Sequence, residues 1–132
     1  MANGTIAFDT LTTSDSVNTN TEKSIDTSYL FNGIPKAWAN FNESDSTIRD
    51  DFNVTSLTDN ATGYFTINLT ISMSSDDYVR TGSAGENANT GGNRVLGLRL
   101  PATNSFNIIT KNTGGTDTDT ADTCVTVLGD LA

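Results

Sequence analysis

Apolar and polar side chains alternate with a period of two along several stretches of this chain. In the longest, Tyr64–Met73, Phe65, Ile67, Leu69, Ile71 and Met73 take one face while Tyr64, Thr66, Asn68, Thr70 and Ser72 take the other. That is the pattern of a strand buried on one side; a helix would scatter the same residues round its circumference. Shorter strand signals lie at Ala37–Phe41, Phe52–Leu57, Tyr78–Gly82, Val95–Leu100, Ser105–Thr110 and Thr123–Leu128, with Pro101 ending one of them. Asp59-Asn60-Ala61-Thr62-Gly63 reads as a hairpin turn, and Gly91-Gly92-Asn93 and Gly114-Gly115 belong to longer loops. No segment with helical period exceeds two turns. Seven or so short strands predict an all-β domain, a compact antiparallel β-sandwich or barrel.

The pattern weakens before residue 35. Residues 1–34 are rich in Thr, Ser, Asn and Asp, interrupted by apolar islands at Ile6-Ala7-Phe8, Leu11 and Tyr29-Leu30-Phe31 that are too short for a core of their own. They predict an extended N-terminal segment whose isolated strands need a partner surface. Asn32-Gly33 followed by Ile34-Pro35 is a turn signal that opens the β domain, residues 35–132. A chain of 132 residues has room for one domain of ordinary size. Hydrophobic residues make up 35% and charged residues 17%, and the balance is filled by fifty Thr, Asn and Ser. Low charge and retained aromatics separate this composition from a disordered chain and match a β-rich surface.

Charge narrows the partners. The net charge is −9, and the basic residues Lys23, Lys36, Arg49, Arg80, Arg94, Arg99 and Lys111 are scattered rather than clustered. Nucleic acid and anionic membrane surfaces both require clustered cations, so neither is expected as a partner. No apolar run reaches the length of a membrane span, and the first residues lack a secretion signal, which predicts synthesis in a cytoplasm. The one cysteine, Cys124, lies in an apparent strand and is expected as a small buried hydrophobe.

Candidate chemistry is sparse. Asp50-Asp51 and Asp76-Asp77 are paired carboxylates, but sequence neighbours on a strand point to opposite faces and do not flank a substrate bond. Asp117, Asp119 and Asp122 alternate oxygen ligands in a way that suits a weak calcium site, without the glycine and distal glutamate of an EF-hand loop. Glu86, Asn87, Asn89 and Asn93, in a long polar loop, are candidates for receptor contact. Trp38, Phe41, Phe52, Val54, Phe65, Ile67, Leu69 and Ile71 are expected in the core or at a subunit interface. No cofactor and no catalytic residue is expected.

Three motifs follow one another in the middle of the chain. They are Ala37-Trp38-Ala39-Asn40-Phe41-Asn42, Ile48-Arg49-Asp50-Asp51-Phe52-Asn53-Val54 and Thr58-Asp59-Asn60-Ala61-Thr62-Gly63-Tyr64. Together with Met73-Ser74-Ser75-Asp76-Asp77-Tyr78-Val79 and the opening Gly4–Thr12, they resemble the short fibre-type virion proteins of tailed bacteriophages, notably marine and freshwater phages. The chain departs from that pattern at Asn42-Glu43-Ser44-Asp45, where a glycine-rich turn is more usual. The resemblance implies a non-enzymatic structural protein of the virion, of tail-fibre or receptor-binding type. It implies a homotrimer whose N-terminal segment docks on other virion proteins and whose β domain faces a host-surface glycan or protein. A capsid decoration protein of the same fold and a glycan-binding module are the alternatives.

Overall fold

The computed structural model describes residues 10–12, 24–85 and 93–132, and the chain divides into two units, Met1–Ile34 and Pro35–Ala132. In the smaller unit, β1 (Thr10–Thr12) pairs antiparallel with β2 (Ser24–Asp26), placing Leu11 opposite Ile25. Helix α1 (Thr27–Gly33) follows directly, and none of its residues is buried. The island Tyr29-Leu30-Phe31, expected to be extended, is therefore helical. Asp26 caps the helix, its carboxylate accepting from the Ser28 backbone N–H at 2.8 Å. Ile34 turns extended ahead of Pro35, as a residue before proline prefers. The island Ile6-Ala7-Phe8 lies outside the described residues.

Among its described residues the larger unit has eight strands: β3 (Ala37–Asn42), β4 (Thr47–Phe52), β5 (Val54–Ala61), β6 (Tyr64–Leu69), β7 (Val79–Gly85), β8 (Arg94–Ala102), β9 (Ser105–Asn112) and β10 (Asp122–Leu128). They form two antiparallel four-stranded sheets, ordered β4-β3-β10-β7 and β5-β6-β9-β8. The sheets pack face to face as a sandwich, confirming the all-β class with more strands than the alternation had suggested. Their inward positions alternate strictly: Ala37, Ala39 and Phe41 on β3, Phe65, Ile67 and Leu69 on β6, Phe106 and Ile108 on β9, and Val125 and Val127 on β10. Val54, Met73 and Tyr78 complete this core. Each strand contributes only half its side chains, which is how a chain with 35% hydrophobic residues fills a continuous interior.

One residue decides how the sheets connect. Phe52 and Val54 read from sequence as one strand with both side chains on one face. Asn53 stands between them with φ of 58°, in the left-handed region that asparagine tolerates better than most residues. The chain turns there and passes from one sheet to the other. The Asn53 side chain fastens the corner, donating to the carbonyls of Lys36 (3.0 Å) and Ile71 (3.1 Å) and accepting from the Ile71 N–H (2.7 Å). Val54 is consequently buried, whereas Phe52 is 52% exposed. Ile71 is exposed to the same extent, because β6 ends at Leu69 and the backbone bends to meet Asn53. Strand β4 escaped the period-two reading altogether, since Thr47-Ile48-Arg49-Asp50-Asp51-Phe52 is mostly polar and exposed.

Along the opposite side of the sandwich, β7 and β8 are edge strands of different sheets. Gly82 sits where an added Cβ would lie 2.8 Å from the Leu96 side chain, so glycine permits the close approach. Arg80 donates to the Arg99 carbonyl at 3.1 Å, and its guanidinium lies 5.4 Å from the Tyr78 ring centroid and 5.9 Å from that of Phe106. Strand β8 continues through Pro101 rather than stopping there, with a bulge around Leu100. Among the described residues no helix is long and apolar enough to cross a membrane.

Candidate functional site

Trp38 is not a core residue. On β3 the side chains of Ala37, Ala39 and Phe41 point inward, so alternation turns Trp38, Asn40 and Asn42 to the outer face of the β4-β3-β10-β7 sheet. Cross-strand register sets Trp38 between Phe52 and Thr126, and Thr126 in turn faces Thr81. At one corner, Leu128 pairs with Val79, which is 61% exposed. The face thus carries apolar side chains that the domain itself leaves partly uncovered. Its other end is polar: Arg49 donates to Asn40 Oδ1 (3.1 Å) and to Asp122 Oδ1 (3.0 Å), and a second guanidinium nitrogen reaches the Ala121 carbonyl. Cys124 also faces outward, half-buried and accepting from Asn40 Nδ2 at 3.0 Å, instead of lying in the core.

The outer face of the β5-β6-β9-β8 sheet is different. Asn107 Nδ2 donates to the Tyr64 hydroxyl (2.8 Å) and to Thr66 Oγ1 (3.1 Å), and Asn60 Nδ2 donates to the same Thr66 oxygen (2.9 Å). Asn68 Nδ2 bridges Ser56 Oγ and Thr58 Oγ1 at 3.1 and 3.0 Å. Side chains on three adjacent strands are tied across the sheet.

A buried carboxylate closes one end of the sandwich, in the turn where the chain departs from the fibre-type pattern. Glu43 follows β3 and is 1% exposed. Its Oε1 accepts from Thr110 Oγ1 (2.8 Å) and Thr123 Oγ1 (2.7 Å), and its Oε2 from the Thr120 N–H (3.2 Å). The Thr120 and Thr123 hydroxyls lie 2.7 Å apart, so Thr120 can donate to Thr123 while Thr123 donates to the carboxylate. The Glu43 N–H donates to the Thr120 carbonyl at 2.9 Å. Every donor is accounted for with Glu43 ionised. Burial nevertheless pushes its pKa above the usual glutamate range, opposed by the three hydrogen bonds and reinforced slightly by Asp119. Sequence reading passed over Glu43 as a loop residue. The signal lay elsewhere: the inward rows Phe106-Ile108-Thr110 and Thr123-Val125-Val127 both end in threonine, marking a polar end to the core.

The three calcium candidates have separate commitments. Asp117 pairs with Lys111, Asp119 Oδ1 accepts from the Gly63 N–H at 2.6 Å, and Asp122 is held by Arg49 and Asn40. Among the described residues no group of three or more histidine, cysteine or acidic side chains is placed to hold a metal ion. Asp119 fastens the 117–120 loop to the β5–β6 turn, where Gly63 has φ of 65° and a Cβ would meet the Thr110 carbonyl at 2.5 Å. The adjacent carboxylates serve the backbone locally, Asp50 accepting from the Asp51 N–H (3.0 Å) and Asp51 from the Val54 N–H (3.3 Å). Of the receptor-loop candidates, Asn93 is exposed just ahead of β8, and Glu86, Asn87 and Asn89 lie outside the described residues.

Glu43 is sealed from solvent, and Asp50, Asp51, Asp117, Asp119 and Asp122 are tied to nearby donors. The outer face bearing Trp38 and Phe52 sets apolar side chains partly against solvent. Compared with known proteins, the chain matches no family model, and neither a curated protein nor a solved structure shows significant similarity to it.

Proposed function

We propose that this chain is a non-enzymatic structural protein of a bacteriophage virion, a short tail-fibre-type β domain that acts as a homotrimer. The observation that carries the reading is the fate of the residues behind the fibre-type resemblance. Phe41 and Val54 fill the core, Asn53 fastens the corner between sheets, and Gly63 makes a hairpin, while Trp38 and Phe52 form an outward aromatic pair. These are scaffold and contact roles. A half-buried Trp38 beside an exposed Phe52 on a sheet face suits association with other protein surfaces, where buried aromatic anchors dominate binding.

The test is immunogold labelling of intact virions with an antibody raised against the chain. Label on the tail supports the reading, label spread over the head replaces the tail role with capsid decoration, and virions carrying no label overturn it.

A further inference from the structure

The two narrow sides of the sandwich carry opposite charge. On one side the edge strands β4 and β5 contain Asp50, Asp51 and Asp59, all exposed, and a single cation, Arg49, which is turned onto Asp122. On the other side the edge strands β7 and β8 contain Arg80, Arg94 and Arg99 and no carboxylate; Arg99 is exposed, whereas Arg80 lies over the Tyr78 and Phe106 rings. The nearest acidic residues in sequence before β7, Asp76 and Asp77, belong to the loop ahead of it. This division coexists with an overall net charge of −9, so the arginine side stands out against an acidic background.

Exposed apolar side chains occur on both sides. The acidic side presents Phe52, and the basic side presents Val79, Val95 and Leu100, each more than half exposed. All four strands are sheet edges, the elements that folded proteins ordinarily cover, shorten or charge against unwanted pairing. An acidic side with an aromatic residue and a basic side with aliphatic residues, opposite one another on one small domain, fit each other better than either fits a copy of itself. Like charges opposed across a self-paired side would repel.

We propose that copies of this chain associate head to tail, the β4/β5 side of one against the β7/β8 side of the next. Arg99 faces the aspartates Asp50 and Asp59, and Phe52 packs against Val79, which lies on the same outer face of its sheet. Such a contact is heterologous; it closes into a ring, of which the smallest has three copies, or runs on as a fibre. This rests on the assembly reading above and adds which surfaces meet.

Charge reversal tests it. Arg99→Glu alters only the basic side and Asp50→Arg/Asp59→Arg only the acidic side; melting curves first establish that both variants remain folded. Solution mass is then measured for the wild type, each variant and their equimolar mixture, at about 50 mM and about 500 mM salt, since screening shortens the reach of surface charge. The wild type is expected to associate, more weakly at high salt, and each variant to lose association by about tenfold or more. The mixture is expected to regain association, because the intact acidic side of one variant fits the intact basic side of the other and the two reversed sides are again opposite in charge. Variants that assemble like the wild type overturn the pairing of sides and leave the virion reading standing. A mixture that stays monomeric also overturns the pairing. A wild type that is monomeric in both salts overturns the pairing together with the homotrimer, whereas virions without label overturn the virion role alone.

Discussion

The two sheets of the sandwich have inner faces of the same kind and outer faces of opposite kinds. Inward, both carry rows of buried apolar residues, larger on β6 and β9 and, Phe41 apart, smaller on β3 and β10. Outward, the β5-β6-β9-β8 sheet is laced by Asn107, Thr66, Tyr64, Asn60 and Asn68 into hydrogen bonds among its own side chains. The β4-β3-β10-β7 sheet instead presents Trp38 and Phe52, with Val79 and Leu128 at a corner. A face whose polar groups bond one another has little need of a partner. A face with half-covered aromatics gains from acquiring one, because apolar area still in contact with water is a driving force for association. The inner faces hold the fold together, one outer face satisfies its own polar groups, and the other leaves Trp38 and Phe52, beside the β4/β5 side, with apolar area for a partner to cover.

Inward substitutions should have the largest effect. Phe65→Ala empties a fully buried site, and a loss of about 3–5 kcal/mol is expected in denaturant unfolding of the chain. Glu43→Ala should come next, at about 1–3 kcal/mol, because it strands the Thr120 N–H and two threonine hydroxyls in the interior. Glu43→Gln should largely keep the cage, since the threonine hydroxyls can turn to accept from the amide.

The pH dependence of that pair sharpens the inner-face account. The folded pKa of Glu43 is raised above the ordinary value of 4.5, so between the two values the folded state holds a proton that the unfolded chain has released. The resulting stabilisation is fully present below the ordinary value and is lost as pH rises through the folded pKa. Wild-type stability minus that of Glu43→Gln should accordingly fall with rising pH from about 4.5 upward. A difference that is flat or rises over that window would show that the carboxylate is not the group concerned.

On the outer faces the effects should be smaller and should separate by kind. Trp38→Ala should lower unfolding stability by only about 1–2 kcal/mol, since the side chain is half-buried, while weakening self-association. Asn107→Ala should cost about 1 kcal/mol through lost side-chain hydrogen bonds and leave association unchanged. If Asn107→Ala disrupted association and Trp38→Ala did not, the roles of the two outer faces would be reversed.

Much of the architecture was legible because strand period is a local property. The alternation of Phe65, Ile67 and Leu69 marks the inward face of β6, and all three are buried. What failed was phase. Trp38, expected in the core or at a subunit interface, faces outward because the small residues Ala37 and Ala39 hold the inward positions of β3. Phe52 and Val54 were given one face, but Asn53 adopts a left-handed conformation and resets the alternation, and Ile71 was carried past a strand that ends at Leu69. Strand β4 was missed because its pairing with β3 stabilises it without an apolar face of its own. The Glu43 cage brings together residues as much as 80 positions apart, which only sheet topology can do. The charge difference between the β4/β5 and β7/β8 sides was hidden because it depends on which strands stand at the sheet edges.

The central claim is that this domain works by associating through its surface. The most direct test is the mass of the purified full chain in solution at micromolar concentration and low salt. The account predicts a species three times the 14.0 kDa chain, and a species of 14.0 kDa alone would contradict it.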